Sequence, residues 1–388
     1  LHRPQGRRTL AGESGLRILI VNWRDLENPW AGGAEVHIHA IAEGLVARGH
    51  SVTLVASGYP GGAPQAERNG VRILRAGNRW DANLTLCREA LREIKRHPYD
   101  IVIEDLNKVP FFTAPFHRLP IVVYVPHLFG STVFRETNAL FGAYVWLMER
   151  PIPGVYRRAR WIAISDSTRR DLVARGVPPE RTSVVLCGLD FERYDRSPPP
   201  PRFDHPALVH VGRLMRYKSA DVALKTLQLL QRSRPEARLY VAGDGPDLPR
   251  LQRLARSLGI DSSVQFLGYL PHEQKVDLLW RCHLLLNPSP KEGWGLTVIE
   301  ANACGVPVVA SRRPGLQDSV RDGRTGLLVE YGDAAAFAQA CESLLGDPER
   351  HARFAAAGRE WARSLRWEDA AVQTEAILEQ TIEEATRR

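Results

Sequence analysis

Glu292 and Glu300 stand eight residues apart in the segment Lys291-Glu292-Gly293-Trp294-Gly295-Leu296-Thr297-Val298-Ile299-Glu300. A strand-like apolar run over 284–287 leads into this segment through a loop containing Pro and Gly, and apolar residues then recur at helical spacing. Such a loop presents unpaired backbone N–H groups at a helix start, a place that favours anions. The first glutamate falls in the loop and the second about two turns into the helix, so both reach one ligand from different directions. A carboxylate beside a phosphate site repels the phosphate, and its acceptor oxygens suit hydroxyl groups instead. A ligand that carries both phosphates and hydroxyls is a nucleotide sugar. The competing reading is two solvated glutamates on a surface loop and helix.

A second group points the same way. Arg213 and Lys218 follow the apolar strand over 207–211 on one strand-to-helix loop, where two cations can neutralise a departing diphosphate. No Asp-X-Asp occurs in the chain, so the usual metal clamp on a sugar diphosphate is missing and no metal or other cofactor is expected; Arg213, Lys218 and helix ends serve instead. The turn Ala242-Gly243-Asp244-Gly245-Pro246 resembles a fragment of a dinucleotide fingerprint that Pro246 breaks, and is read as a tight turn.

The elements that must position these groups alternate between strand and helix. The first half reads as strand 17–22, a loop closing on Gly32-Gly33, helix 34–48, strand 51–56, strand 71–74, a helix near 83–96, and strands 100–104 and 121–125. The composition then shifts to Ser197-Pro198-Pro199-Pro200-Pro201-Arg202, which neither helix nor sheet absorbs, and a second alternation runs from 207 onward. The predicted architecture is α/β: two doubly wound, Rossmann-like domains facing a cleft, with ligands at the carboxyl ends of the strands, where Gly32-Gly33 and His127 fall. The divisions are a flexible tail at 1–15, a first domain at 16–195, a linker at 196–206, a second domain at 207–366, and a last helix at 367–388 that returns to the first domain.

The net charge of +8 suits a polyanionic partner without choosing among a nucleotide diphosphate, an anionic membrane and nucleic acid. No apolar run of membrane-spanning length and no secretion-signal core are present, which places the protein in the cytoplasm. Five scattered cysteines in apolar surroundings read as reduced core thiols. The stretch 128–160 combines Phe129, Phe134, Leu140, Phe141, Tyr144 and Trp146 with Arg150, Arg157, Arg158 and Arg160. It suits a core helix with a solvated edge, the reading we favour, or an interfacial element that would place the protein at the inner face of the membrane with a lipid-linked acceptor.

Taken together, Gly32-Gly33-Ala34-Glu35, Val211-Gly212-Arg213 with Lys218, Ala242 to Pro246, Asn287-Pro288-Ser289 with Glu292, and Glu300-Ala301 through Val309 resemble the retaining glycosyltransferases of family 4, of GT-B fold. The resemblance covers about 16–385 and continues into Gly323-Arg324-Thr325-Gly326. It implies a UDP- or GDP-sugar held by the second domain and an acceptor (a sugar, a lipid-linked molecule or a small molecule) held by the first, with no nucleic acid partner. Glu300 would bind the ribose hydroxyls, Glu292 the sugar hydroxyls, and Arg213 and Lys218 the diphosphate. The backbone of Gly293, Trp294, Gly295, Leu296 and Thr297 would hold the sugar and distal phosphate, Gly32 and Gly33 would let the first domain approach that phosphate, and His127 would lie near the reacting sugar. Trp294 stands where the family usually has Phe, Ser219 where it usually has Gly, and Asp318 where Glu is common. The implied activity is metal-independent hexosyl transfer with retention, in cell-envelope glycan, glycolipid or glycosylated-metabolite synthesis. A nucleotide-sugar epimerase, or a non-catalytic nucleotide-binding protein, is the alternative on the same fold.

Overall fold

A computed structural model describes residues 15–78, 80–106, 109–130, 133 and 139–387. Phe134 and all but the last residue of the proposed 1–15 tail lie outside the described residues.

The first sheet has eight strands: β1 (Arg17–Val21), β2 (Ser51–Ser57), β3 (Gln65–Arg68), β4 (Val71–Ala76), β5 (Ile101–Asp105), β6 (Ile121–Val125), β7 (Arg160–Ala163) and β8 (Thr182–Val184). Their order is β3-β4-β2-β1-β5-β6-β7-β8, and every pairing is parallel except that of β3 with β4. Runs such as Ile-Val-Val-Tyr-Val in β6 are buried throughout, because helices cover both faces of the sheet. Those helices are α1 (Gly33–Ala47), α2 (Ala82–Arg96), α3 (Ala139–Glu149), α4 (Ile152–Val155) and α5 (Asp166–Ala174).

The second sheet holds β9 (Ala207–Val211), β10 (Arg238–Ala242), β11 (Val264–Gly268), β12 (Leu284–Asn287), β13 (Val308–Ser311) and β14 (Gly326–Val329), all parallel, in the order β11-β10-β9-β12-β13-β14. It is flanked by α6 (Ala220–Leu230), α7 (Leu248–Ser257), α8 (His272–Arg281), α9 (Leu296–Ala303), α10 (Leu316–Ser319), α11 (Ala334–Leu345) and α12 (Pro348–Arg363). Strand order reverses between β1 and β5 in one sheet and between β9 and β12 in the other. Those switch points open the crevices in which open α/β sheets bind ligands. The loops leaving β1, β9 and β12 carry Gly32, Arg213 and Glu292 respectively.

The last helix, α13 (Trp367–Thr386), packs along α1 of the first domain. The approach is close: a Cβ placed on Gly44 would lie 2.6 Å from the Ala371 Cβ. His50 Nε2 lies 2.7 Å from Glu375 Oε1, Arg48 pairs with the same carboxylate, and Arg160 reaches Glu384. The Trp367 ring lies 5.8 Å from buried His37.

Two expectations need correction. Strand β3 is additional; its polar Gln-Ala-Glu-Arg run, antiparallel to the expected β4, is mostly exposed and carries no apolar alternation to reveal it. The core-helix reading of 128–160 fails for α3, where only Gly142, Val145 and Glu149 are buried, while Leu140 is 87% and Leu147 59% exposed. The five cysteines are free thiols, four of them buried. Among the described residues, no helix is long and apolar enough to cross a membrane.

Candidate functional site

The glutamate loop is held from both sides. Glu292 N donates to Pro314 O at 3.1 Å, and Gly315 approaches so closely that a Cβ there would fall 2.1 Å from Glu292 O. Gly295 caps α9 at φ +90°, a left-handed conformation that glycine adopts without strain, and so aims the first peptide groups of the helix. The Trp294 indole turns inward, 2% exposed and 6.5 Å from Trp361, so what this residue offers a ligand is its backbone. Leu296 and Thr297 open the helix and are half-buried.

Lys218 ends a short 3-10 turn, and Ser219 follows in the left-handed region at φ +56°, which accounts for the glycine usual at that position. The turn points Lys218 Nζ at both Glu292 oxygens, 2.6 and 2.7 Å away. Burial alone would push the Glu292 carboxyl up; the charge and hydrogen bonds of Lys218 outweigh it and hold the carboxyl below its ordinary value, with smaller pulls from Ser289 and His127. Burial pulls Lys218 down, and Glu292 more than offsets this, leaving the ammonium above its ordinary value. His127, after β6, therefore lies within the electrostatic reach of the pair, its ring packed edgewise on Phe129 at 4.9 Å.

Across the cleft, Gly32 is the N-cap of α1, and a Cβ there would come 2.6 Å from Arg213 Nη2. Glycine at this position lets the guanidinium of one domain lie against the helix start of the other. A Cβ on Gly33 would lie 3.3 Å from Leu296 Cδ1, and one on Gly293 2.8 Å from Pro126 O. Ser167 N, at the start of α5, donates to Asp318 Oδ1 at 3.2 Å, while Asp318 Oδ2 accepts from Gly315 N at 3.1 Å. The two domains thus meet around the site and the cleft is narrow there.

Glu300 lies in α9 with its Oε1 accepting from Lys275 Nζ at 2.7 Å and from Tyr194 Oη at 2.9 Å. Its Oε2 is buried and has no hydrogen-bond partner among the described residues. Burial and the neighbouring carboxylate keep the Tyr194 phenol protonated, its pKa well above the ordinary value. Tyr194 and Lys275 escape sequence reasoning. Lys275 offered one weak signal, a cation next to buried Val276 on α8. Lys291, a third residue missed, reaches from the glutamate loop to the Leu128 carbonyl of the first domain.

The family model for glycosyltransferase family 4 matches residues 31–193, and the model for glycosyl transferases group 1 matches 194–361. The chain is 38% identical over 359 residues to the GDP-mannose-dependent alpha-(1-6)-phosphatidylinositol monomannoside mannosyltransferase of Mycolicibacterium smegmatis, covering 86% of this chain and 91% of that one. This chain belongs to glycosyltransferase family 4. It is also 30% identical over 394 residues to the D-inositol 3-phosphate glycosyltransferase of Nocardia farcinica, covering 90% of this chain and 87% of the relative. A sucrose-phosphate synthase from Thermosynechococcus elongatus has the same GT-B fold, with a TM-score of 0.76 over 94% of this glycosyltransferase and 98% of the synthase, at 22% identity.

Proposed function

We propose that this glycosyltransferase moves a hexose, with retention, from a nucleoside diphosphate sugar to an acceptor hydroxyl without a metal ion. GDP-mannose is the first donor to test and an inositol-bearing molecule, free or lipid-linked, the first acceptor, on the strength of the two curated relatives' names. The carrying observation is the meeting of two cations, Arg213 and Lys218, with Glu292 and the start of α9 opposite Gly32 and His127 of the other domain.

In this reading Glu300 Oε2 accepts a hydrogen bond from a ribose hydroxyl, the partner that this buried oxygen lacks among the described residues. Arg213, Lys218 and the backbone N–H groups of α9 stabilise the charge that develops on the diphosphate as its bond to the anomeric carbon breaks. A phosphate oxygen of the leaving group takes the acceptor proton on the face where the new carbon–oxygen bond forms, which retains the configuration. Glu292 orients the sugar hydroxyls, and Lys218 keeps that carboxylate ionised.

The test is donor turnover with and without acceptor, in buffer with and without a chelator, with the product anomer read by NMR. A retained anomer that forms only with acceptor and survives chelation supports the whole reading. Free epimer without nucleotide release favours the epimerase alternative, an inverted product ends the same-face mechanism, and loss of activity on chelation ends metal independence.

A further inference from the structure

The chain has a second hollow, far from the cleft. It is a cavity of about 430 Å³ lined by the stretch from Ala114 to Ile121 and the turn from Gly154 to Ala159. Ile121 opens β6 and Ala159 immediately precedes β7, so the hollow sits at the amino ends of these strands. The catalytic loops leave the carboxyl ends, and five strand residues separate the two levels by roughly 17 Å.

Arg118, Arg157 and Arg158 all line this hollow, and none of the three side chains has a hydrogen-bond or ion-pair partner among the described residues. Among the described residues no Asp or Glu lines it. A fourth arginine, Arg181, comes to its edge and donates from Nη1 to the Arg157 carbonyl at 2.9 Å. Like charges gathered in one concavity repel each other, and their field is focused by the apolar walls of Leu119, Val155 and Ile121. An anion relieves that repulsion. Guanidinium forks match phosphate oxygens in pairs, and the volume suits a ligand larger than a bare ion.

We infer that this hollow is a second ligand site, separate from the donor cleft, that binds a phosphate ester through Arg118, Arg157 and Arg158. The phosphate belongs either to a lipid headgroup at a membrane surface or to a soluble phosphorylated molecule; both present the same dianionic or diester oxygens to the arginines.

The test compares the full chain with Arg118→Gln/Arg157→Gln/Arg158→Gln, with the charge-preserving Arg→Lys triple, and with Lys218→Ala, which removes a cleft cation. Binding is measured with inorganic pyrophosphate by calorimetry and with phosphatidylglycerol vesicles against phosphatidylcholine vesicles by sedimentation. The Gln triple is expected to lose about tenfold or more of one or both, the Lys triple less, and Lys218→Ala to retain the component that the Gln triple loses. Vesicle binding that pyrophosphate displaces identifies the lipid source, and pyrophosphate binding without vesicle binding identifies the soluble one. Turnover in the cleft stays normal in the Gln triple, which also shows that it is folded. Equal binding by the Gln triple and the parent, or loss confined to Lys218→Ala, overturns the site.

Discussion

Replacing Lys218 by methionine should leave Glu292 in its enclosed site without a counter-charge. Breaking a buried ion pair from one side costs about 3–5 kcal/mol. With 21% of the lysine and 16% of the glutamate side chain exposed, water recovers part of this, and about 2–3 kcal/mol is expected near neutral pH. Glu292 has its pKa lowered by folding, so its contribution is present above the ordinary value of 4.5 and is lost as pH falls through the folded value. Lys218 has its pKa raised, so its contribution is present below 10.5 and is lost as pH rises through the folded value. Both describe one pair and count once. In Lys218→Met the remaining influence on Glu292 is chiefly burial, which moves its carboxyl upward, so the variant sheds its unpaired charge on mild acidification. Urea unfolding at about pH 7 and about pH 4 should therefore show a gap between parent and variant that narrows in acid. The double variant Lys218→Met/Glu292→Gln should recover part of the loss at neutral pH, because no buried charge is left alone. A gap that is unchanged between the two pH values, or a double variant no better than the single one, refutes the pairing. Turnover of Lys218→Met should fall by roughly 10² to 10³, as for other groups that stabilise leaving-group charge.

Glu300→Ala should raise the donor KM more than it lowers kcat, because ribose contacts are alike in ground and transition states; steady-state kinetics with unchanged KM would remove that assignment. Gly32→Ala places a methyl 2.6 Å from Arg213 Nη2 and should push the guanidinium aside, lowering kcat by about tenfold with little change in thermal stability, whereas normal turnover would show that the arginine acts from elsewhere. Deleting α13 should uncover the α1 face and lower the melting temperature. In the parent, solution scattering should show compaction on adding nucleoside diphosphate. A truncated chain that compacts and turns over normally would count against α13 as part of the closing mechanism.

The doubly wound pattern was legible because fully buried strands such as β6 stand out as apolar runs between helical stretches. The places of Arg213, Lys218 and Glu292 were legible because each follows a strand of a parallel sheet, where such sheets gather ligands, and Glu300 lies about one turn into the helix that follows Glu292. The partners of Glu300 were not: Tyr194 is 106 residues away and Lys275 is 25, and neither spacing falls on a shared local element. The bridge from Ser167 to Asp318 spans 151 residues and depends on how two domains face each other, which periodicity within either one does not encode. The exposed side of α3 misled for a different reason. Its apolar residues surround the helix, so the pattern alone gave no polar face by which to tell inside from outside.

The seat of α13 on α1 also sets an order of events during synthesis. α1 ends at Ala47, and the residues that cover Gly44 and His37 leave the ribosome only after more than 300 others. At about 5–20 residues per second this face waits on the order of 15–65 s for its cover. The first sheet can form meanwhile, yet its outer helix stays bare while the entire second domain is being made. A nascent chain halted before Trp367 would carry two assembled sheets and one uncovered helix face, the surface that a chaperone would find.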